Sequence, residues 1–140
     1  MIISRVKQCL TYLFLKYDVA NNDEVREILS DYEFELFLKM TNYDKLHSYN
    51  LLKKVKKNEL LSKKILFQKL ALLHDCGKGN TGLLRRIKKV LIGDKLLEQH
   101  TNIAYKNLKK HNQELAILCR FHHDKTEDKF MQEFQRLDDE

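Results

Sequence analysis

Apolar residues recur at three- and four-residue steps over most of the chain, the spacing of one face of an α-helix. Ile3, Val6, Leu10, Leu13, Phe14 and Tyr17 make the first such stripe, and the stretch from Asp18 to Asn22 breaks it. Asp23 is placed to cap a short helix through about Leu29. Ser30-Asp31-Tyr32-Glu33 has the form of a capping box, in which the first and fourth residues satisfy each other's backbone N–H groups. The helix it opens carries Phe34, Phe37, Leu38 and Met40. After a break at Thr41-Asn42 the pattern predicts a helix from about Tyr43 to Lys57, then one capped by Ser62 and ending around His74 or Asp75. The loop from Cys76 to Thr81 follows. A basic helix is predicted from Leu83 to Leu91, with Leu84, Ile87 and Leu91 facing in, and Gly93 ends it. Asp94 can cap a helix through Leu108. Asn112 opens one with Leu115, Leu118 and Cys119 inside, and a last helix bears Phe130, Phe134 and Leu137.

Composition agrees with this pattern. The 140 residues include no proline and four glycines, and Leu, Lys and Glu, all good helix formers, dominate. The expectation is an all-α fold in a single domain over 1–140, with N-terminal helices in 1–40 and the helical core in 41–140. No repeat or linker interrupts it. The hydrophobic fraction of 43% suffices for a core at this length.

Charge and cysteines bound the setting. A formal net charge of +6 favours anionic partners. Many lysines, however, fall beside acids on outward faces, so a solvated surface explains them better than a nucleic-acid site. Cys9, Cys76 and Cys119 are odd in number and widely spaced, which fits packing roles in a reduced protein. The run from Cys9 to Leu15 is interrupted by Thr11 and lacks a cleavage site after it. No stretch reaches the roughly 18 apolar residues of a membrane span. The expected location is cytoplasmic, with no membrane partner.

The chemistry gathers around Leu72-Leu73-His74-Asp75-Cys76-Gly77-Lys78-Gly79. An apolar run delivers two neighbouring metal-ligand types, and Lys78, four residues after His74 and three after Asp75, can return to the same spot. Three other predicted helices also bring a histidine to the inner face. His47 lies near Leu46 and Leu51. His100 is four residues from Leu96 and Ala104 and three from Leu97 and Ile103. His122 is four after Leu118, and the adjoining His123 four after Cys119. One inward histidine is ordinarily a hydrogen-bonded core residue. Four of them would each need a partner, because burying unsatisfied polar groups is costly, and a shared metal cluster supplies one partner for all. Histidine and carboxylate suit Zn, Mn and Fe, and Asp75 could bridge two ions. Asp138, seven residues after Met131 and four after Phe134, adds an acid on or beside an apolar face. His111, between Lys110 and Asn112 at a helix break, reads as surface.

In the order and separation of these residues the chain resembles the HD-domain superfamily of metal-dependent phosphohydrolases. His47-Ser48 is followed by His74 after 27 residues, His100 after 26, His122 after 22 and Asp138 after 16. The resemblance runs from about Glu33 to Asp138. The His-Asp-x-Gly-Lys form is similar to the branch that includes the cyclic-di-GMP phosphodiesterases. The Gly-Tyr-Pro signature of that branch is missing, since Asp124-Lys125-Thr126 follows His122-His123. Tyr43 stands where some two-metal members have a glutamate.

The resemblance implies a compact HD-domain helical bundle with a helical lead-in. It implies that His47, His74, Asp75 and Asp138 are metal ligands, with Asp75 bridging and Asp139 the competing choice for the last. It implies that His100, His122 and His123 complete a second site for two divalent ions (Fe, Mn or Zn), and that Lys78 contacts the substrate phosphate. Phosphodiester or phosphoanhydride hydrolysis by a metal-activated water follows as the expected activity. His123 or an ordered water would protonate the leaving oxygen. The expected partner is a phosphorylated small molecule, a nucleotide, with bis-nucleoside polyphosphates among the choices. The alternative is an inactive HD module that binds metal or nucleotide in a regulatory role. A nucleic-acid binder built on Arg85, Arg86, Lys88 and Lys89 ranks last, because it leaves the inward histidines unexplained.

Overall fold

The structure, a computed structural model, describes residues 3, 4, 6, 7, 10, 15–78 and 94–140. All regular structure among the described residues is helical, and the fold is all-α. A short 3-10 turn, Val19–Asn21, leads into α1 (Asn22–Ile28) and α2 (Asp31–Leu38). The longest of the described helices, α3 (Asn42–Lys57), is followed by α4 (Ile65–Leu73), α5 (Asp94–Leu108), α6 (Gln113–Phe121) and α7 (Lys129–Asp139).

Helix α4 is the centre of the packing. It lies against α1, α2, α3 and α6, and Phe67, Leu70, Ala71, Leu72 and Leu73 are all buried. A helix apolar nearly all round must sit inside. Its last turn therefore ends in the interior, and the His-Asp pair that follows is buried with it. Helix α3 covers one side through Leu51, Leu52 and Val55, and α7 closes against α3 with Phe134 and Leu137. Helices α5 and α6 pack chiefly on each other.

Several helix boundaries follow local chemistry. The Ser30–Glu33 capping box forms in both directions, Thr41 caps α3, and Asn112 caps α6. Others differ from expectation. Asn21 rather than Asp23 precedes α1, and Asp23 lies in its first turn, where a carboxylate still favours the positive helix end. Ser62 does not cap α4, which starts at Ile65 after Lys64. The chain is turned earlier by Asn58, whose side chain accepts from the Leu60 and Leu61 N–H groups and whose carbonyl accepts from Ser62. The first stripe does not reach Tyr17 as a helix, because 15–18 is irregular. Tyr17 is buried there by its own bonds: its N–H donates to Asn42 Oδ1 and its hydroxyl to Asn22 Oδ1. Ile3, Leu10 and Ile103 are exposed; the buried edge of α5 runs instead through His100, Thr101, Ala104 and Leu108.

The predictions for Cys9, Leu13, Phe14, the loop from Gly79 to Thr81, the basic helix with Arg85, Arg86, Lys88 and Lys89, Gly93 and the Leu96 and Leu97 side chains lie outside the described residues. Among those described, no helix is long and apolar enough to cross a membrane.

Candidate metal centre

Two helix ends build the centre. His74 is the C-cap of α4 and His122 the C-cap of α6. Each imidazole donates Nδ1–H to the carbonyl three residues back, His74 to Ala71 at 3.0 Å and His122 to Cys119. Each bond satisfies a carbonyl that the helix end leaves over. It also fixes the ring so that Nε2 points onward, as a metal-binding histidine requires. The two helices end side by side, with Cys119 Sγ 3.9 Å from the Leu73 carbonyl. Both direct the negative end of a helix dipole towards the cluster, which favours a cation there.

Asp75 lies between two sets of histidines. Its Oδ2 is 3.2 Å from His74 Nε2 and 3.9 Å from His47 Nε2. Its Oδ1 is 3.5 Å from His100 Nε2. Asp138 Oδ1 approaches the first set from α7, 3.1 Å from His47 Nε2 and 3.4 Å from His74 Nε2. The ligand atoms of His47, His74 and Asp75 all lie within 4.8 Å of one another, and so do those of Asp75, His100, His122 and His123. Buried His/Asp groups at this spacing could hold a metal ion. Of the two competing terminal acids, Asp138 is buried and at the cluster; Asp139 is half-buried.

The turn after Asp75 explains how α5 reaches the same place. Gly77 lies against the backbone of α5, and a Cβ there would stand 2.0 Å from the His100 carbonyl oxygen and 2.9 Å from the Ala104 nitrogen. Only a residue without a side chain lets this turn and His100 meet. From the sequence Gly77 could be read only as a loop glycine, since its neighbour is 23 residues away. The carbonyls of Ala71 and Cys119 were also missed, although a histidine at a predicted helix end is a usable sign of such a bond.

The electrostatics require a positive charge. Burial opposes ionisation of Asp75, yet the charges of His74 and Lys78 hold its carboxyl well below the usual range. Burial likewise disfavours a cation on His74, but Asp75 and Asp138 outweigh it and push that imidazole up to about 10. Burial and the charge on His74 push His122 down to about 4, so it is a neutral, ligand-ready ring at pH 7. A proton on His74 is one cation the two carboxylates can have and a divalent ion is another; binding the second releases the first.

The donor set fits a metal in a further respect. His74 Nε2, His122 Nε2 and both Asp75 oxygens are buried without a hydrogen bond among the described residues. Buried polar atoms are nearly always bonded. Each of these lies in a group of ligand atoms within 4.8 Å of one another, a spacing at which one ion could serve several of them. Ser48 Oγ is also buried without a hydrogen bond, and the arrangement offers no account of it.

Lys78 returns to the site as its spacing predicts, with Nζ 3.0 Å from Asp75 Oδ2 and the side chain 23% exposed. His123 is half-buried at the outer edge, its ring 5.4 Å from that of His100. His111 is on the surface, stacked on Tyr32 with ring centroids 3.5 Å apart. Burial pushes the Cys119 thiol well up and the Cys76 thiol to about 12, with the charge of Asp75 adding to the latter. Protonated thiols are poor ligands and nucleophiles, which suits packing.

Comparison with protein-family models, curated proteins and solved structures finds no match for this chain.

Proposed function

We propose that this chain is a metal-dependent phosphohydrolase of the HD-domain type, hydrolysing a phosphodiester or phosphoanhydride of a nucleotide. The observation that carries the reading is Asp75, whose two oxygens face different histidine sets. His47, His74, Asp75 and Asp138 would hold one divalent ion, and Asp75, His100, His122 and His123 a second. Bound ions of the Zn, Mn or Fe kind supply the Lewis acidity and activated water such a reaction needs. The chain's own residues do the rest. Lys78, part-exposed beside Asp75, binds a phosphoryl oxygen and offsets the charge that grows on it. With His123 held as a ligand, an ordered water hands a proton to the leaving oxygen. The free thiols Cys76 and Cys119 fit a reducing cytoplasm.

The test is turnover of a panel of nucleotides, cyclic and linear phosphodiesters and bis-nucleoside polyphosphates by protein loaded with Mn, Fe or Zn. Hydrolysis that disappears in Asp75→Ala is expected; a metal-loaded wild-type protein that turns over none of them contradicts the proposal.

A second reading, an inactive module that binds metal in a regulatory role, is favoured by the depth of the His47 set, all of whose members are buried. It predicts metal uptake with no turnover.

A further inference from the structure

A second buried charge lies away from the metal centre. Glu33 is 2% exposed. Its Oε1 accepts from the Ser30 N–H at 2.9 Å and from Lys69 Nζ at 2.7 Å, and its Oε2 accepts from Asn112 Nδ2 at 3.0 Å. Asn112 Oδ1 in turn accepts from the Leu115 N–H at 3.1 Å and so caps α6. Burial opposes the charge on Glu33, but these donors keep its pKa below the ordinary value.

The position of this network matters more than its strength. Lys69 sits in the middle of α4, five residues before His74. Asn112 opens the helix that ends at His122. At one end the two helices share the Glu33 carboxylate, and at the other Cys119 Sγ meets the Leu73 carbonyl. They therefore run alongside in the same direction, and Glu33 sets how far along α4 the start of α6 lies. Histidines 122 and 123 are at the far end of α6, facing Asp75 at the end of α4.

We propose that Glu33 is a positioning residue for the set Asp75, His100, His122 and His123. Its bonds to Lys69 and Asn112 hold α6 in register on α4 and so keep His122 and His123 opposite Asp75. The set His47, His74, Asp75 and Asp138 takes no ligand from α6 and does not depend on the clamp. The proposal rests on the two-ion reading of the centre. A fully bonded buried network of this kind specifies an arrangement, and metal sites are sensitive to the groups that orient their ligands.

The experiment measures stepwise Mn binding to the full chain by calorimetry, with stoichiometry from elemental analysis. Asn112→Ser keeps an N-cap residue on α6 but removes the amide that reaches Glu33. Glu33→Ala cuts the clamp from the other side, and Lys69→Arg keeps a cation on the carboxylate. In the first two variants the second equivalent should bind about 10- to 100-fold more weakly while the first is unchanged. Lys69→Arg should bind both as wild type does. Circular dichroism establishes that each variant is folded. If both equivalents weaken alike, or if stability falls while both affinities stay put, Glu33 is only a stabilising residue and the proposal is overturned. A wild-type protein that takes up fewer than two ions instead removes the two-ion reading, and the proposal with it.

Discussion

Glu33 and Asp75 are both buried carboxylates held below their usual pKa. Every oxygen of Glu33 is occupied by a protein donor. Asp75 has an ion pair with Lys78 at 3.0 Å and imidazole nitrogens of His74, His100 and His47 at 3.2, 3.5 and 3.9 Å, but no well-aligned hydrogen bond among the described residues. The difference separates two uses of burial. A network closed by the protein itself has no need of a further group and contributes arrangement. An open one, with ligand atoms brought together from five helices, is a candidate metal site. Burial and charge alone would not have told them apart; the hydrogen bonds that each carboxylate makes do.

The comparison is broken most severely at Gly77. In Gly77→Ala the new methyl meets the α5 backbone at 2.0 Å, so α5 must move and take His100 with it. The cost should reach about 3 kcal/mol, the upper end for overpacking, and the second metal equivalent should be lost while the first remains. Elemental analysis and a denaturant melt check both. Two retained equivalents would mean that α5 does not need this contact.

Glu33→Gln tests the closed network. It keeps the shape and loses the charge opposite Lys69, so stability should fall by about 1–3 kcal/mol. This loss should already be present in chelator, because no metal touches Glu33, and should grow when metal is added if the second equivalent binds more weakly. A variant as stable as wild type in chelator would mean that the closed network contributes nothing of its own.

Much of this arrangement can be read from the sequence. Helical phase brings His47, His74, His100 and His122 inward because all four sit on stripes that the core must cover. Asp138 is separated from Asp139 by phase alone. The Ser30–Glu33 capping box is visible because it is local. The other half of Glu33's network is not, since Lys69 and Asn112 lie 36 and 79 residues away and nothing in spacing links them. Gly77 against α5 is hidden for the same reason. Ser62 misled because Asn58 had already turned the chain. Ile103 misled because the apolar stripe of α5 is wider than the face it buries.

The open network should also respond to pH in chelator-treated protein. His122 is pushed down to about 4 from 6.5. As pH falls through that window the unfolded chain takes up a proton that the folded chain refuses, so stability drops. His74 is pushed up to about 10 from 6.5. Its contribution is complete below 6.5 and lost as pH rises towards 10. The two together put the maximum near 6.5, and added metal, which displaces the His74 proton, should move it upward. Urea midpoints across this range, with and without Mn, read the shift directly; a flat profile would contradict the assignment.

The smallest effect is expected at the histidine outside both networks. His111→Ala loses a stack on Tyr32, worth about 1 kcal/mol or less at an exposed site, and should leave metal content unchanged. A fall in bound metal would mean that the surface histidine takes part after all.

The most direct test of the central claim is metal content by elemental analysis, in untagged protein purified without chelator, beside Asp75→Ala. The account predicts two equivalents of Fe, Mn or Zn in the wild type and none in the variant, because both ligand sets share Asp75. A wild-type protein that holds no metal, even after reconstitution under reducing conditions, would contradict it.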